Sequence, residues 1–203
     1  MLLFDHYPKA GGSSIRTWLL ENFAADDVFN LSSHVPGNTR ADLRMLPPHE
    51  QLRLKCVMAH GGRSLRGLMG SATELVTVIR EPVDRLISYY SYARSTPEMH
   101  EHADARNLTI VDFAIAHNLG ESLRNYFGDS VDKMRSQYSV IGDLSDLQGF
   151  ADHVRAKFDL PVRYTPRIVN GNSNREMATA VEQAELMKLA AGDRKFYEKL
   201  RSA

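Results

Sequence analysis

Two short segments of this 203-residue chain bring together the residue types that hold phosphate-like anions. The first is Phe4-Asp5-His6-Tyr7-Pro8-Lys9-Ala10-Gly11-Gly12-Ser13-Ser14-Ile15-Arg16. The second is Val76-Thr77-Val78-Ile79-Arg80-Glu81-Pro82-Val83-Asp84-Arg85-Leu86-Ile87-Ser88-Tyr89-Tyr90. Each reads as a buried strand that ends in a cationic residue and turns into a helix. A helix start presents unpaired N–H groups and the positive end of the helix dipole, so such a junction suits an anion. In the first segment Gly11-Gly12 lets the backbone approach a ligand closely and take positive φ. Ser13 and Ser14 offer hydroxyls or a helix cap, and Lys9 adds a mobile point charge. Two such sites suggest a ligand with two separated phosphate-like groups.

The pattern is not the nucleotide triphosphatase loop. Lys9 precedes the glycines, whereas G-x-x-x-x-G-K-[ST] places the lysine after them. The strand before the second site ends in Ile79-Arg80 and not in an acid that would hold Mg²⁺. A histidine, His60, follows another apolar run in Met58-Ala59-His60-Gly61-Gly62. In a parallel sheet the C-terminal strand ends face the ligand crevice, which aims His60 near the first site.

These residues need a frame, and the hydrophobic pattern supplies one. Strands are predicted over 2–6, 54–59, 74–79 and 138–141, the third dense in the β-branched residues of buried parallel strands. Helical periodicity runs over 13–23, with Ile15, Trp18, Leu19 and Phe23 on one face. Pro82 opens a helix to about Arg94. Further helices are expected over 110–117, 121–127, 146–158, 177–191 and 194–200, the last capped by Asp193. Residues 24–48 are mixed, with turn signals around 34–38 and at Pro47-Pro48. Residues 95–107 read as a surface loop and 161–175 as irregular. Strands alternating with helices argue for a parallel α/β sheet in a single domain over 1–203, with the first strand–loop–helix at its edge.

Composition narrows the class. Lys plus Arg equals Asp plus Glu at 25 each, so the formal charge is zero and nothing advertises a nucleic-acid partner. Hydrophobic residues make up 43%, enough for a sizeable core. Cys56 is the only cysteine, so no intrachain disulfide forms, and its strand setting makes it a small buried apolar residue. No apolar window reaches a membrane span and the start has no signal-peptide pattern, so the expectation is a cytoplasmic, soluble protein. His100 and His102 with Glu98 and Glu101 lack a third clear ligand, and no metal is expected.

The two segments resemble the sulfotransferases that use 3′-phosphoadenosine 5′-phosphosulfate (PAPS). His6 to Ser14 looks like that family's 5′-phosphosulfate loop, and Arg80 to Tyr90 looks like its 3′-phosphate site. The match is closest to the carbohydrate-type branch, which includes heparan-sulfate 2-O-sulfotransferases and bacterial relatives. It covers about residues 2–23 and 54–94; Tyr138 to Gly142 and Asp193 to Tyr197 follow more loosely. The resemblance implies a three-layer, P-loop-like domain with a central parallel sheet of four to five strands. It implies PAPS as co-substrate, adenosine 3′,5′-bisphosphate as product and a hydroxyl-bearing carbohydrate or small molecule as acceptor.

By the same resemblance, Lys9, Ala10, Gly11, Gly12, Ser13 and Ser14 hold the phosphosulfate, and Arg80 and Ser88 hold the 3′-phosphate. Lys9 stabilises the departing bridging oxygen, and His60 takes the acceptor's proton as general base. Each residue has a plainer reading: a strand-end lysine, a turn and cap, a small residue at a helix contact, a hydrogen-bonded surface histidine. Arg85 suits the phosphate or a structural ion pair, Arg63 and Arg66 an anionic acceptor or solvent. His6 reads as a strand-end residue with a structural hydrogen bond. Asn170, Asn172, Ser173, Asn174 and Arg175 read as a lid over the nucleotide or as a polar loop. An ATP-dependent small-molecule kinase and a non-catalytic nucleotide-binding module on the same fold are the alternatives.

Overall fold

Five short apolar runs become strands: β1 (Leu2–Asp5), β2 (Val28–Asn30), β3 (Cys56–Ala59), β4 (Glu74–Ile79) and β5 (Tyr138–Asp143). The computed structural model describes residues 1–31, 37–70, 72–166 and 178–202. All four strand pairings are parallel, in the order β2-β3-β1-β4-β5. The architecture is thus α/β with a central five-stranded parallel sheet flanked by helices, as the alternation of strands and helices implies.

β1 is the middle strand, not an edge one. Its Leu2 pairs with Cys56 on one side and Glu74 on the other. All four of its residues are buried, so neither face nor edge can be given to water without exposing apolar surface. The strand absent from the sequence reading is β2. Three residues, Val28-Phe29-Asn30, are too short to show an alternation. β5 carries a bulge: Leu75 pairs with Tyr138 but Val76 with Val140, and the Ser139 hydroxyl donates to the Leu75 carbonyl at 3.1 Å.

The chain packs as two compact units, Met1–Ile79 with Arg135–Val169 and Arg80–Met134 with Asn170–Ala203. The first holds the sheet. On one sheet face Leu2, Phe4, Cys56, Met58, Val76, Val78 and Val140 meet Ile15, Trp18 and Leu19 of the helix Gly12–Asn22. Phe150, Ala151 and Val154 of the helix Leu147–Phe158 complete that core. The Trp18 indole donates to the Val162 carbonyl at 2.9 Å, and the Asn22 amide bridges the Trp18 carbonyl and the Val162 N–H.

The second unit is helical. Leu86, Ile87, Tyr90 and Ala93 of the helix Pro82–Ser95 pack with Ile110, Phe113, Ala114, Leu186 and Ala190. The stretch expected to be a loop, 95–107, contains the helix His102–Asn107. It is tied down by tertiary contacts that a local pattern does not display. His102 Nδ1 lies 2.8 Å from the Ala93 carbonyl, and the Tyr89 hydroxyl donates to Glu101 at 3.0 Å. That also uses two members of the candidate metal cluster for structure. Asp193 does not cap its own helix; it sits in the first turn of Ala191–Arg201. Its fully buried carboxylate accepts from the Leu123 and Arg124 amides at 2.7 and 3.2 Å, capping the helix Ser122–Phe127 instead. The candidate lid at 170–175 and most of the turn at 34–38 lie outside the described residues.

Candidate anion-binding and catalytic site

The turn between β1 and the helix Gly12–Asn22 is built from unusual backbone. Lys9 has φ 65° and Gly11 φ 81°, both left-handed. Glycine reaches that region without strain, but for a lysine it costs about 1–2 kcal/mol. A side chain held there must be fixed by its surroundings, and such residues cluster at functional sites. The turn also rests on buried Tyr7 and Ala10, each no more than 2% exposed, while Lys9 itself is half-buried.

The two glycines are required for different reasons. A Cβ on Gly11 would combine positive φ with a contact of 2.6 Å to Leu144. A Cβ on Gly12 would fall 1.9–2.8 Å from atoms of the His6 ring. Gly11 is the helix N-cap with no side-chain cap, so Ser13 and Ser14 do not cap this helix. Ser14 instead hydrogen-bonds the Tyr164 phenol. Burial raises that phenol's pKa and the Ser14 bond partly offsets the rise.

His60 stands immediately past the end of β3, solvent-exposed. Its Nδ1 lies 2.7 Å from the His6 main-chain carbonyl. A carbonyl oxygen only accepts, so Nδ1 carries the proton and Nε2 of the neutral ring carries the lone pair. The ring stacks on the His6 imidazole with centroids 4.3 Å apart. His6 stacks in turn on buried Phe4, 5.7 Å away at 15°. The structure thus brings the Lys9–Ser14 turn and His60 together around His6.

His6 is held neutral. Its pKa falls from 6.5 to about 3, first because it is buried, then because the charges of His60, Arg16 and Lys9 oppose a further one. Two of these groups, Arg16 and Lys9, are standing cations and mark a local positive region beside the glycine turn in a chain of zero net charge.

The His60 loop has two anchors. Asp5, fully buried at the end of β1, accepts from the amides of Gly62 at 2.7 Å and Arg63 at 3.3 Å and from the Tyr138 hydroxyl. Arg40 donates to the carbonyls of His60 at 3.1 Å and Gly61 at 3.0 Å and to the Ser64 hydroxyl. Neither residue stands out in the sequence. Arg40 lies in the mixed stretch before Pro47, and Asp5 reads as the polar end of a strand. The only available cue was an acid inside an otherwise apolar strand, where a buried carboxylate demands donors. Arg66, a candidate for an anionic acceptor, donates to the Gln137 carbonyl at 3.3 Å.

Arg80 and Ser88 belong to the other unit. Arg80 directly follows β4 and Ser88 lies in the helix Pro82–Ser95, both half-buried. That helix starts with Pro82 in its first turn and the Glu81 carboxylate accepting from the Asp84 amide at 2.8 Å. Arg85 is buried, donates to the Ser122 hydroxyl at 2.8 Å and lies over the Tyr89 ring, a structural use not anticipated as such. Tyr89, half-buried and bonded to Glu101, has its pKa pushed up to about 12. Among the described residues, no group of three or more His, Cys, Asp or Glu is placed to hold a metal ion. Among them, too, no helix is long and apolar enough to cross a membrane.

No protein-family model matches the chain, and no curated protein matches it. Among solved structures, the mouse sulfotransferase SULT7A1 complexed with PAP is similar at 13% identity and a TM-score of 0.42. That likeness covers 96% of this chain, which spans 64% of the length of the mouse protein.

Proposed function

We propose that the chain is a PAPS-dependent sulfotransferase acting on a hydroxyl group, with a carbohydrate-like or small-molecule acceptor. The observation that carries the reading is the backbone of Lys9: a strained, left-handed lysine set two residues before a left-handed glycine at the mouth of a helix. A helix start offers unpaired amides, and a lysine in the turn before it adds charge of the sign an anion requires. The motif resemblance to the phosphosulfate loop then names the anion.

In this reading the donor nucleotide supplies the sulfuryl group. Lys9, the amides of Ala10 to Ser13 and the Ser14 hydroxyl hold the phosphosulfate, and the lysine steadies the negative charge on the bridging oxygen as the S–O bond breaks. His60 Nε2, the bare nitrogen, accepts the proton of the acceptor hydroxyl as its oxygen bonds to sulfur. Arg80 and Ser88 are assigned to the 3′-phosphate on their motif alone. No metal enters the scheme, since the positive charge comes from side chains and amides.

The test combines binding and turnover. Adenosine 3′,5′-bisphosphate should raise the melting temperature, and ATP with Mg²⁺ should raise it less. Radiolabelled sulfate from PAPS should move to a hydroxyl acceptor in a panel of sugars and small metabolites. Stabilisation by MgATP but not by the bisphosphate would overturn the reading.

A further inference from the structure

The His6 side chain touches both halves of the first site. Its ring fills the space where Gly12 has no Cβ, with atoms 1.9–2.8 Å from that missing carbon. Its other contact is the His60 ring, 4.3 Å away and tilted 25°. Behind it stands the Phe4 ring, itself 1% exposed and part of the sheet core. The result is a column of three rings, Phe4, His6 and His60, running from core to surface. The His6 backbone is equally fixed: its N–H donates to the Ala59 carbonyl at 2.8 Å and its carbonyl faces His60 Nδ1 at 2.7 Å.

We propose that His6 is a positioning residue, whose ring sets the distance and plane of His60 relative to the glycine turn and thereby holds His60 Nδ1 against the His6 carbonyl, the contact that fixes the His60 tautomer. The proposal rests on the reading of His60 as base. An exposed imidazole with one hydrogen bond can still swing about that bond; a packed aromatic face on a rigid column removes the swing. Charge supports the same role. A cationic His6 would sit in van der Waals contact with the base and weaken its hold on a proton, and burial keeps His6 neutral.

The experiment uses the full chain with ¹⁵N-labelled histidine. The His60 ring signals among the eight histidines are assigned by their loss in His60→Gln. In wild type, the neutral His60 ring should show the pattern of a protonated Nδ1 and a bare Nε2. His6→Leu keeps apolar volume but removes the aromatic face, and should mix in the Nε2–H tautomer. His6→Phe restores a face and should return the wild-type pattern. In turnover, His6→Leu should lower kcat by about tenfold to a hundredfold, the scale of a misplacement near 1 Å. The dissociation constant for adenosine 3′,5′-bisphosphate should stay within about twofold.

A wild-type tautomer pattern retained in His6→Leu overturns the proposal, as does a mixed pattern in His6→Phe. If His6→Leu fails to fold, His6→Phe against wild type decides by the same criterion. The ring signals are read without donor or acceptor. A chain that transfers no sulfate but shows the expected pattern would therefore defeat the sulfotransferase reading and leave the positioning of His60 intact.

Discussion

The Gly62 amide nitrogen lies 2.7 Å from Asp5 Oδ1, joining two strand ends 57 residues apart in the chain. The approach is close enough that a Cβ on Gly62 would lie 3.2 Å from the Asp5 Cα. Asp5→Asn replaces an acceptor-only group with one that also donates. Each of its present donors left unsatisfied should cost about 1–3 kcal/mol. Tyr138→Phe removes one donor and leaves both amides held, at about 1 kcal/mol. Denaturant melts of the two variants check the order; equal losses would mean that the carboxylate does not anchor the His60 loop.

The backbone of Lys9 allows strain and charge to be separated. Lys9→Ala and Lys9→Gly both remove the cation and should both abolish most transfer. Only glycine suits φ 65°. Lys9→Gly should therefore be more stable than Lys9→Ala by about 1 kcal/mol, the left-handed penalty less the added chain entropy. Alanine as the more stable of the pair would show that the turn is not left-handed in solution.

Gly12→Ala forces one methyl group into the His6 ring. That ring is stacked against both Phe4 and His60 and cannot move aside cheaply. Overpacking of this kind should cost about 1–3 kcal/mol. It should also displace His60, so turnover falls further than thermal stability alone would explain. A variant with unchanged melting temperature and turnover would contradict the packing described here.

His6 also makes an acid dependence. In the folded chain its pKa is about 3, held down by burial and by the charges of His60, Arg16 and Lys9; unfolded it returns to about 6.5. Between those values the unfolded chain binds one more proton than the folded one. Stability contributed by a neutral His6 is complete above pH 6.5 and falls as pH drops towards 3, at about 1.4 kcal/mol per pH unit. His6→Leu should show a shallower decline across that window. Parallel curves for the variant and wild type in urea melts at pH 7 and pH 4 would show that His6 takes up its proton while folded.

Local chemistry was legible in the sequence to the extent that it is local. The Val76–Ile79 run is continuously rich in β-branched residues and the Ile15, Trp18, Leu19 face is periodic, and both are buried as expected. Gly11 and Gly12 announce a tight turn, and the left-handed φ at Gly11 follows. What the chain hides are relationships between distant segments. The central place of β1 depends on Cys56 and Glu74 pairing with Leu2 from either side. Asp193 looks like the cap of its own helix, yet its carboxylate serves Leu123 and Arg124 about 70 residues earlier. Arg40 carries no motif and holds the His60 loop through carbonyl groups, which every residue has. His6 was visible as part of the motif, but its ring contacts on Gly12 and His60 are matters of tertiary packing.

Trp18, the only tryptophan, is 3% exposed and sits two turns into the helix that begins at the glycine turn. Its indole donates to the Val162 carbonyl and meets the Tyr164 ring edge-on at 6.0 Å. Tyr164 in turn is bonded to Ser14 of the turn itself. The protein therefore carries its own optical gauge: a ligand that took the Ser14 hydroxyl, as proposed, should shift the surroundings of a single, shielded fluorophore, and its affinity should be readable by emission with no label attached.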